Sequence, residues 1–393
     1  MFSYLVRTYI PDAQNVSSPE VRRKYGTLCS VLGIVLNLLL FAGKLFAGLL
    51  AGSIAIMADA FNNLSDAGSS LITLVGFRLA GKKPDPDHPF GHGRMEYISG
   101  FVVSIAILLM GFELAKSSVQ KLLHPEQPEF SFLVVGILVA SIAVKLYMAA
   151  YNRTAAKAID SAAMRATSLD SLSDSVATFV VLLSMLVQGI FHLNVDGACG
   201  LLVAIFILVA GYKAASETLS LLLGNPADPE FVDQIRQLVM KDSRILGIHD
   251  LVVHDYGPGR CMISLHAEVS SKEDLLEIHD LIDNLEKELA EELGCIATIH
   301  MDPVLVGDER TDRLRAKTLE LVKEISPRLT IHDFRMVTGA THTNLIFDVV
   351  APYDLGMSDE ALSNEIKERL SKWEGTYFAV LTIDKNFTGA DPV

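Results

Sequence analysis

Cysteine is scarce in this chain. The four present, Cys29, Cys199, Cys261 and Cys295, are scattered with no CxxC spacing, which indicates neither a disulfide framework nor a thiolate metal site. No GxxxxGK(S/T) sequence occurs, so the phosphate cradle of an ATP-driven machine is missing. Basic charge is short as well. Lys and Arg number 33 against 47 Asp and Glu, a formal net charge of -14, and the electrostatic footprint of a nucleic-acid binder is absent. The opening "MFSYLVRTYIPDAQNVSSPEVRRKYG" has no uninterrupted apolar stretch and no small-residue cleavage site, and reads as part of the mature chain rather than as a signal peptide.

Apolar runs are abundant. Half of the 393 residues are hydrophobic, and six segments, near residues 27–50, 54–80, 96–118, 130–151, 164–191 and 197–223, approach the length that crosses a bilayer as a helix. Arg22, Arg23 and Lys24 precede the first; Lys82, Lys83 and Arg94 lie between the second and third; Arg153, Lys157 and Arg165 lie between the fourth and fifth. The first and fifth inter-span loops carry no Lys or Arg, while the third carries Lys121. The positive-inside rule then puts both termini in the cytoplasm, with everything after about Asn225 soluble.

Polar residues inside two of these runs need an explanation, because an ionised carboxylate in hydrocarbon costs about 3 kcal/mol or more and marks function by default. In "ADAFNNLSDAG" Asn62 and Asp66 stand four apart, and in "TSLDSLSDSVATF" Asp170 and Asp174 repeat the spacing. Residues at i and i+4 share a helix face, so two such helices can close four oxygens around one cation. One buried acid is readily a satisfied structural residue; two matched pairs argue against that. Asp59 is a partner of these ligands, a proton relay or a cap for a neighbouring span. Lys44, Lys145 and Glu113 also fall inside runs, where snorkelling or pairing with an opposite charge is the ordinary reading.

These pairs, with the loop "DPDHPFGHGRMEY" and a soluble tail, make the chain resemble the cation diffusion facilitators through residue 303, and an Asn-Asp pair with an Asp-Asp pair looks like the bacterial manganese exporters. The resemblance implies six transmembrane helices with cytoplasmic α+β ferredoxin-like domains, and a homodimer in the lipid of the bacterial plasma membrane, multi-pass, that exports a divalent metal in exchange for protons. It also implies a transporter and not an enzyme. The transport site would be Asn62, Asp66, Asp170 and Asp174. An all-oxygen set suits a harder ion such as Mn²⁺, where imidazole favours zinc; Fe²⁺ or Co²⁺ and Zn²⁺ are the competing substrates. Three crowded carboxylates repel one another, so the expectation is antiport in which the vacant site holds protons that Mn²⁺ displaces. A membrane-anchored metal sensor and a passive channel are the rival classes.

Two further metal sites are implied. Asp85, His88 and His92 match a loop site, although "HPFGHG" also reads as a tight turn. His249, His266, His279, His300 and Asp302 fall at the family's cytoplasmic positions, for Zn²⁺ or Mn²⁺. The tail between residues 225 and 303 reads αββαβ and holds 17 acids and 6 Lys or Arg. Beyond it "TIHDFRMVTGATHTNLIFDVV" echoes "GIHDLVVHDYGPGRCMISLHAEV", an internal repeat. The expected organisation is a transport domain at 1–224, a metal-binding and dimerisation domain at 225–303 and a second, degenerate ferredoxin-like domain at 304–393. In that repeat His332 is kept, Asp384 is placed where His300 stands, and the metal constellation is read as decayed.

Overall fold

Within hydrocarbon every backbone N–H and C=O must be satisfied inside its own segment, so long apolar runs fold as helices. The computed structural model describes residues 2–16, 18–51, 54–124, 132–191 and 196–385. Its contacts form two units, Met1–Asn225 with Tyr256–Arg260, and Pro226–Asp255 with Cys261–Val393.

The first unit is helical: α1 Phe2–Tyr9, α2 Pro19–Ala51, α3 Ile54–Ala80, α4 Met95–Leu123, α5 Phe132–Ala158, α6 Ala162–Phe191 and α7 Asp196–Leu223. Among the described residues α2, α4, α5, α6 and α7 contain stretches long and apolar enough to cross a membrane; α3, which carries the Asn-Asp pair, brings the spans to six and is the second of them in chain order. Leu39, Leu109, Phe112 and Leu202 face outward and exposed, as acyl chains in place of water allow. The short helix α1 has no counterpart in the hydropathy reading; its Val6, with Ile10 after it, is buried in a cluster with Tyr25 and Tyr151. α2 begins at Pro19 rather than near residue 27, because the charged turn Glu20–Lys24 continues the helix beyond its apolar part.

Small residues let the helices approach, the usual device where lipid removes the hydrophobic drive for helix association. A Cβ on Gly100 of α4 would lie 3.0 Å from the Ala163 Cα of α6. At one end Arg22 of α2 ties three elements. Its guanidinium pairs with the buried Glu96 carboxylate of α4 at 3.1 Å and donates to the carbonyls of Ile159 and Asp160 in the α5–α6 turn.

The second unit holds α8 Pro229–Val239, β1 Ile245–Asp255, β2 Cys261–Ser270, α9 Leu275–Leu293 and β3 Cys295–Val304, followed by α10 Glu309–Ile325, β4 Thr330–Thr338, β5 Thr343–Val350, α11 Asp359–Ser371 and β6 Tyr377–Asp384. The helices start where a side-chain oxygen accepts from the first-turn amides: Asp228, Asp274, Asp308 and Ser358, each satisfying a donor that the helix itself cannot. Two three-stranded sheets result, ordered β1-β2-β3 and β4-β5-β6, each with an antiparallel pair followed by a parallel one. The parallel pairs require the helical crossovers α9 and α11. Leu265, Leu285 and Leu289 fill the first core, and Leu329, Phe347 and Ile366 the second.

Candidate metal centres

α3 and α6 are the second and fifth spans, so they run in opposite senses. The Thr73 and Thr167 hydroxyls meet across them at 3.2 Å. Asp66 precedes Thr73 by seven residues and Asp174 follows Thr167 by seven, and a rise of about 1.5 Å per residue brings both acids to one level, roughly 10 Å from that hydrogen bond. Asp66, Asp170 and Asp174 accordingly each bring a carboxylate oxygen within 4.8 Å of the others. α6 affords its polar load through hydroxyls that fold back on the helix, Ser171 Oγ donating to the Thr167 carbonyl and Ser175 Oγ to that of Ser171, which satisfies them in an apolar surround.

A residue read from sequence only as one of several intramembrane charges completes this cluster. Lys145 of α5 is buried, and its Nζ donates to Asp66 Oδ2 and to Asp174 Oδ2, both at 2.6 Å. Pairing, not snorkelling, describes it. The signal that would have found it is charge: three acids facing one another need a cation, and α5 packs along α6, where Ser168 Oγ donates to the Ala149 carbonyl at 2.8 Å. Asn62, one turn before Asp66, is exposed on α3, while Asn63 is buried. Asp59 belongs to α3, but its side chain lies outside the described part of the structure.

In the loop between α3 and α4 the three expected residues converge. Asp85 Oδ1 accepts from the His88 amide at 2.8 Å and stands 3.3 Å from His88 Nδ1, and Asp85 Oδ2 is 3.4 Å from His92 Nε2. The His88 amide, then the His88 ring and the nearby His92, hold the Asp85 carboxyl below its ordinary value. The turn and the cluster are thus one feature, since the backbone contact shapes the loop that gathers the rings.

In the first sheet His249, His266 and Asp302 gather. His266 Nδ1 is 2.8 Å from Asp302 Oδ2, and His300 Nε2 is 3.2 Å from Asp302 Oδ1. His249 Nε2 lies 3.2 Å from Asp302 Oδ2, yet this buried nitrogen has no hydrogen-bond partner: the oxygen is near but off the line of the N–H. Imidazoles converging with a carboxylate and a buried nitrogen left unsatisfied fit a resident divalent metal, which would supply positive charge and fix the strands. His279 does not join them; it is exposed on α9.

The second sheet corrects the sequence alignment of the repeat. In the first, His249 pairs with His266 and His266 with His300. In the second, His332 pairs with Asp348 and Asp348 with Thr382. Thr382 therefore stands where His300 does, Asp384 stands where Asp302 does, and Asp348 replaces His266. The ligand types have changed, but the cluster has not decayed: His332, Asp348 and Asp384 converge. Burial alone would lower the proton affinity of His332, but its contact with Asp250 and the charges of Asp250, Asp348 and Asp384 hold it above the ordinary value.

Residues 30–223 match the family described as cation efflux transmembrane domain, and residues 227–304 match the cation efflux protein cytoplasmic domain. An uncharacterized transporter of Methanocaldococcus jannaschii is 31% identical over 64% of this chain and 88% of its own length. The manganese efflux system protein MneS of Bacillus subtilis is 27% identical over 72% of this chain and 97% of its own. The cation-efflux pump FieF of Pectobacterium atrosepticum is 27% identical over 74% and 97%.

Proposed function

Because this chain belongs to the cation diffusion facilitator family, whose members are divalent-cation efflux transporters and not enzymes, we propose that its substrate is Mn²⁺, expelled from the cytoplasm by alternating access in exchange for protons. The observation that carries this reading is the convergence of Asp66, Asp170 and Asp174 with no imidazole or thiolate among them. Carboxylate oxygens suit Mn²⁺ and weaken the general advantage of zinc. Asn62, one turn away on the same face of α3, supplies a fourth oxygen when that helix turns toward the site. The names of relatives such as MneS agree with the choice of ion.

Lys145 gives the exchange a physical form. Its ammonium occupies the two carboxylates that the metal needs, so Mn²⁺ enters only as Lys145 withdraws, and the ammonium re-forms its pairs when the ion leaves. Protons taken up by the carboxylates or shed by the amine then balance the charge carried outward. Residues 1–224 perform transport, 225–303 bind metal and form a homodimer, and 304–393 are a second ferredoxin-like domain; both termini lie in the cytoplasm of a bacterial cell.

Flux of Mn²⁺ and Zn²⁺ into liposomes, measured side by side with and without an imposed pH gradient, tests the assignment. Saturable, gradient-dependent Mn²⁺ flux is expected, shifted toward Zn²⁺ by Asp170→His. Preferred Zn²⁺ flux in the parent removes manganese, and indifference to the gradient removes antiport.

A further inference from the structure

The second sheet reproduces more of the first than its fold. His249–Asp250 and His332–Asp333 occupy the same place in β1 and β4. Asp250 and Asp333 both take positive φ, 50° and 52°, and in both strands the register shifts immediately afterwards. Such a bulge turns the preceding histidine relative to its neighbours. His332, Asp348 and Asp384 thus hold the positions of His249, His266 and Asp302, and lie within 4.8 Å of one another through one ligand atom each.

The two clusters also meet. The His249 and His332 rings stack with centroids 4.5 Å apart. Asp250 stands between them, Oδ2 at 3.2 Å from His249 Nδ1 and Oδ1 at 3.3 Å from His332 Nε2. Asp384 Oδ2 approaches the same His332 nitrogen at 3.5 Å. That nitrogen is buried, its side chain only 10% exposed, and it has no hydrogen-bond partner. Carboxylates thus crowd a single imidazole nitrogen from both sheets without satisfying it. A cation held among them would answer both the orphaned nitrogen and the mutual repulsion of the acids.

We propose that the second sheet carries its own divalent-cation site, formed by His332, Asp348 and Asp384 and closed by Asp250 of the first sheet, so that metal clamps the tandem sheets of one chain together. One nitrogen and three carboxylates make it the harder of the two centres, suited to Mn²⁺, whereas the imidazoles of the first sheet favour Zn²⁺. The site holds its ion without moving it, and its existence does not depend on which ion the membrane helices carry.

The test counts ions and not flux, which separates its failure from that of the efflux reading. Full-length protein in detergent is stripped with chelator, equilibrated at fixed free Mn²⁺, and analysed for bound metal per chain by elemental mass spectrometry. Asp348→Asn/Asp384→Asn is expected to bind one Mn²⁺ fewer per chain than the parent, and His266→Ala/His300→Ala to retain that ion. An unchanged count in the first variant overturns the proposal, as does loss of the same ion from the second. If the metal-free first variant melts below the metal-free parent, Asp384→His decides, because it restores a donor: retention of the ion with a shift toward Zn²⁺ sustains the site, and its loss refutes it.

Discussion

Lys145 is the residue on which the proposed transport site turns. An ammonium 2.6 Å from two carboxylates is a tethered competitor for any incoming cation, and removing one member of such a buried pair costs about 3–5 kcal/mol where nothing replaces it. In Lys145→Met the acids are left to the metal and to protons. Mn²⁺ affinity measured by calorimetry at pH 8 should rise about tenfold, equivalent to ~1.4 kcal/mol, while turnover in liposomes falls because nothing displaces the ion. Equal affinity in variant and parent would mean that the amine does not compete. A second residue-scale expectation concerns Cys261. Burial, followed by its neighbours Cys295 and Asp255, pushes its thiol up to about 12, so the neutral form persists and thiolate accumulates only at high pH. Since the thiolate is the nucleophile, alkylation by iodoacetamide at pH 7.5 should be more than a hundredfold slower than for a free thiol of pKa about 8.5. The rate should keep rising about tenfold per pH unit past pH 9, where a free thiol levels off; a plateau there would contradict the shift.

Elements set heights and registers that no single residue controls. The Thr73–Thr167 hydrogen bond levels α3 with α6, and the Gly100–Ala163 approach holds α6 against α4. In Gly100→Val the new side chain meets backbone, which cannot yield as a side-chain tip would. α6 should be displaced together with Asp170 and Asp174, with Mn²⁺ flux reduced at least tenfold and the melting temperature of the solubilised protein lowered; parental flux would show that the helices tolerate the separation. In the second sheet, alternate residues of β5, Leu345, Phe347 and Val349, are buried, and this alternation pins the register that brings Asp348 to His332. Phe347→Ala should cost about 3–5 kcal/mol, read in urea by the fluorescence of Trp373, the chain's single tryptophan, which packs on that core. A smaller loss would mean that the core collapses around the gap.

At the scale of the molecule, charge governs assembly. Residues 225–303 hold 17 acids and 6 Lys or Arg, a net of -11 (6 - 17), and like surfaces of that density repel until cations intervene. The proposed homodimer should therefore tighten as divalent cation is added. By sedimentation in detergent, Mn²⁺ should move the protein toward dimer more strongly than the same ionic strength of NaCl, because ligation adds to screening. Equal effects of the two salts would assign the gain to screening alone.

The sequence by itself determined the six spans, the two acid pairs, the loop of Asp85, His88 and His92, and the repetition of αββαβ. Each of these is written locally, in hydropathy, in four-residue spacing or in a recurring string. The tertiary structure decided who meets whom. It drew Lys145 from among several intramembrane charges into the Asp66–Asp174 pair, left Asn62 and His279 exposed, and moved Asp384 from the place of His300 to that of Asp302. It also set Asp250 between the histidines of the two sheets. Such meetings depend on helix rotation, helix height and strand register, which packing between distant segments fixes: a shift of one residue in a strand turns every side chain to the opposite face, and nothing in the local string records which register the packed core selects.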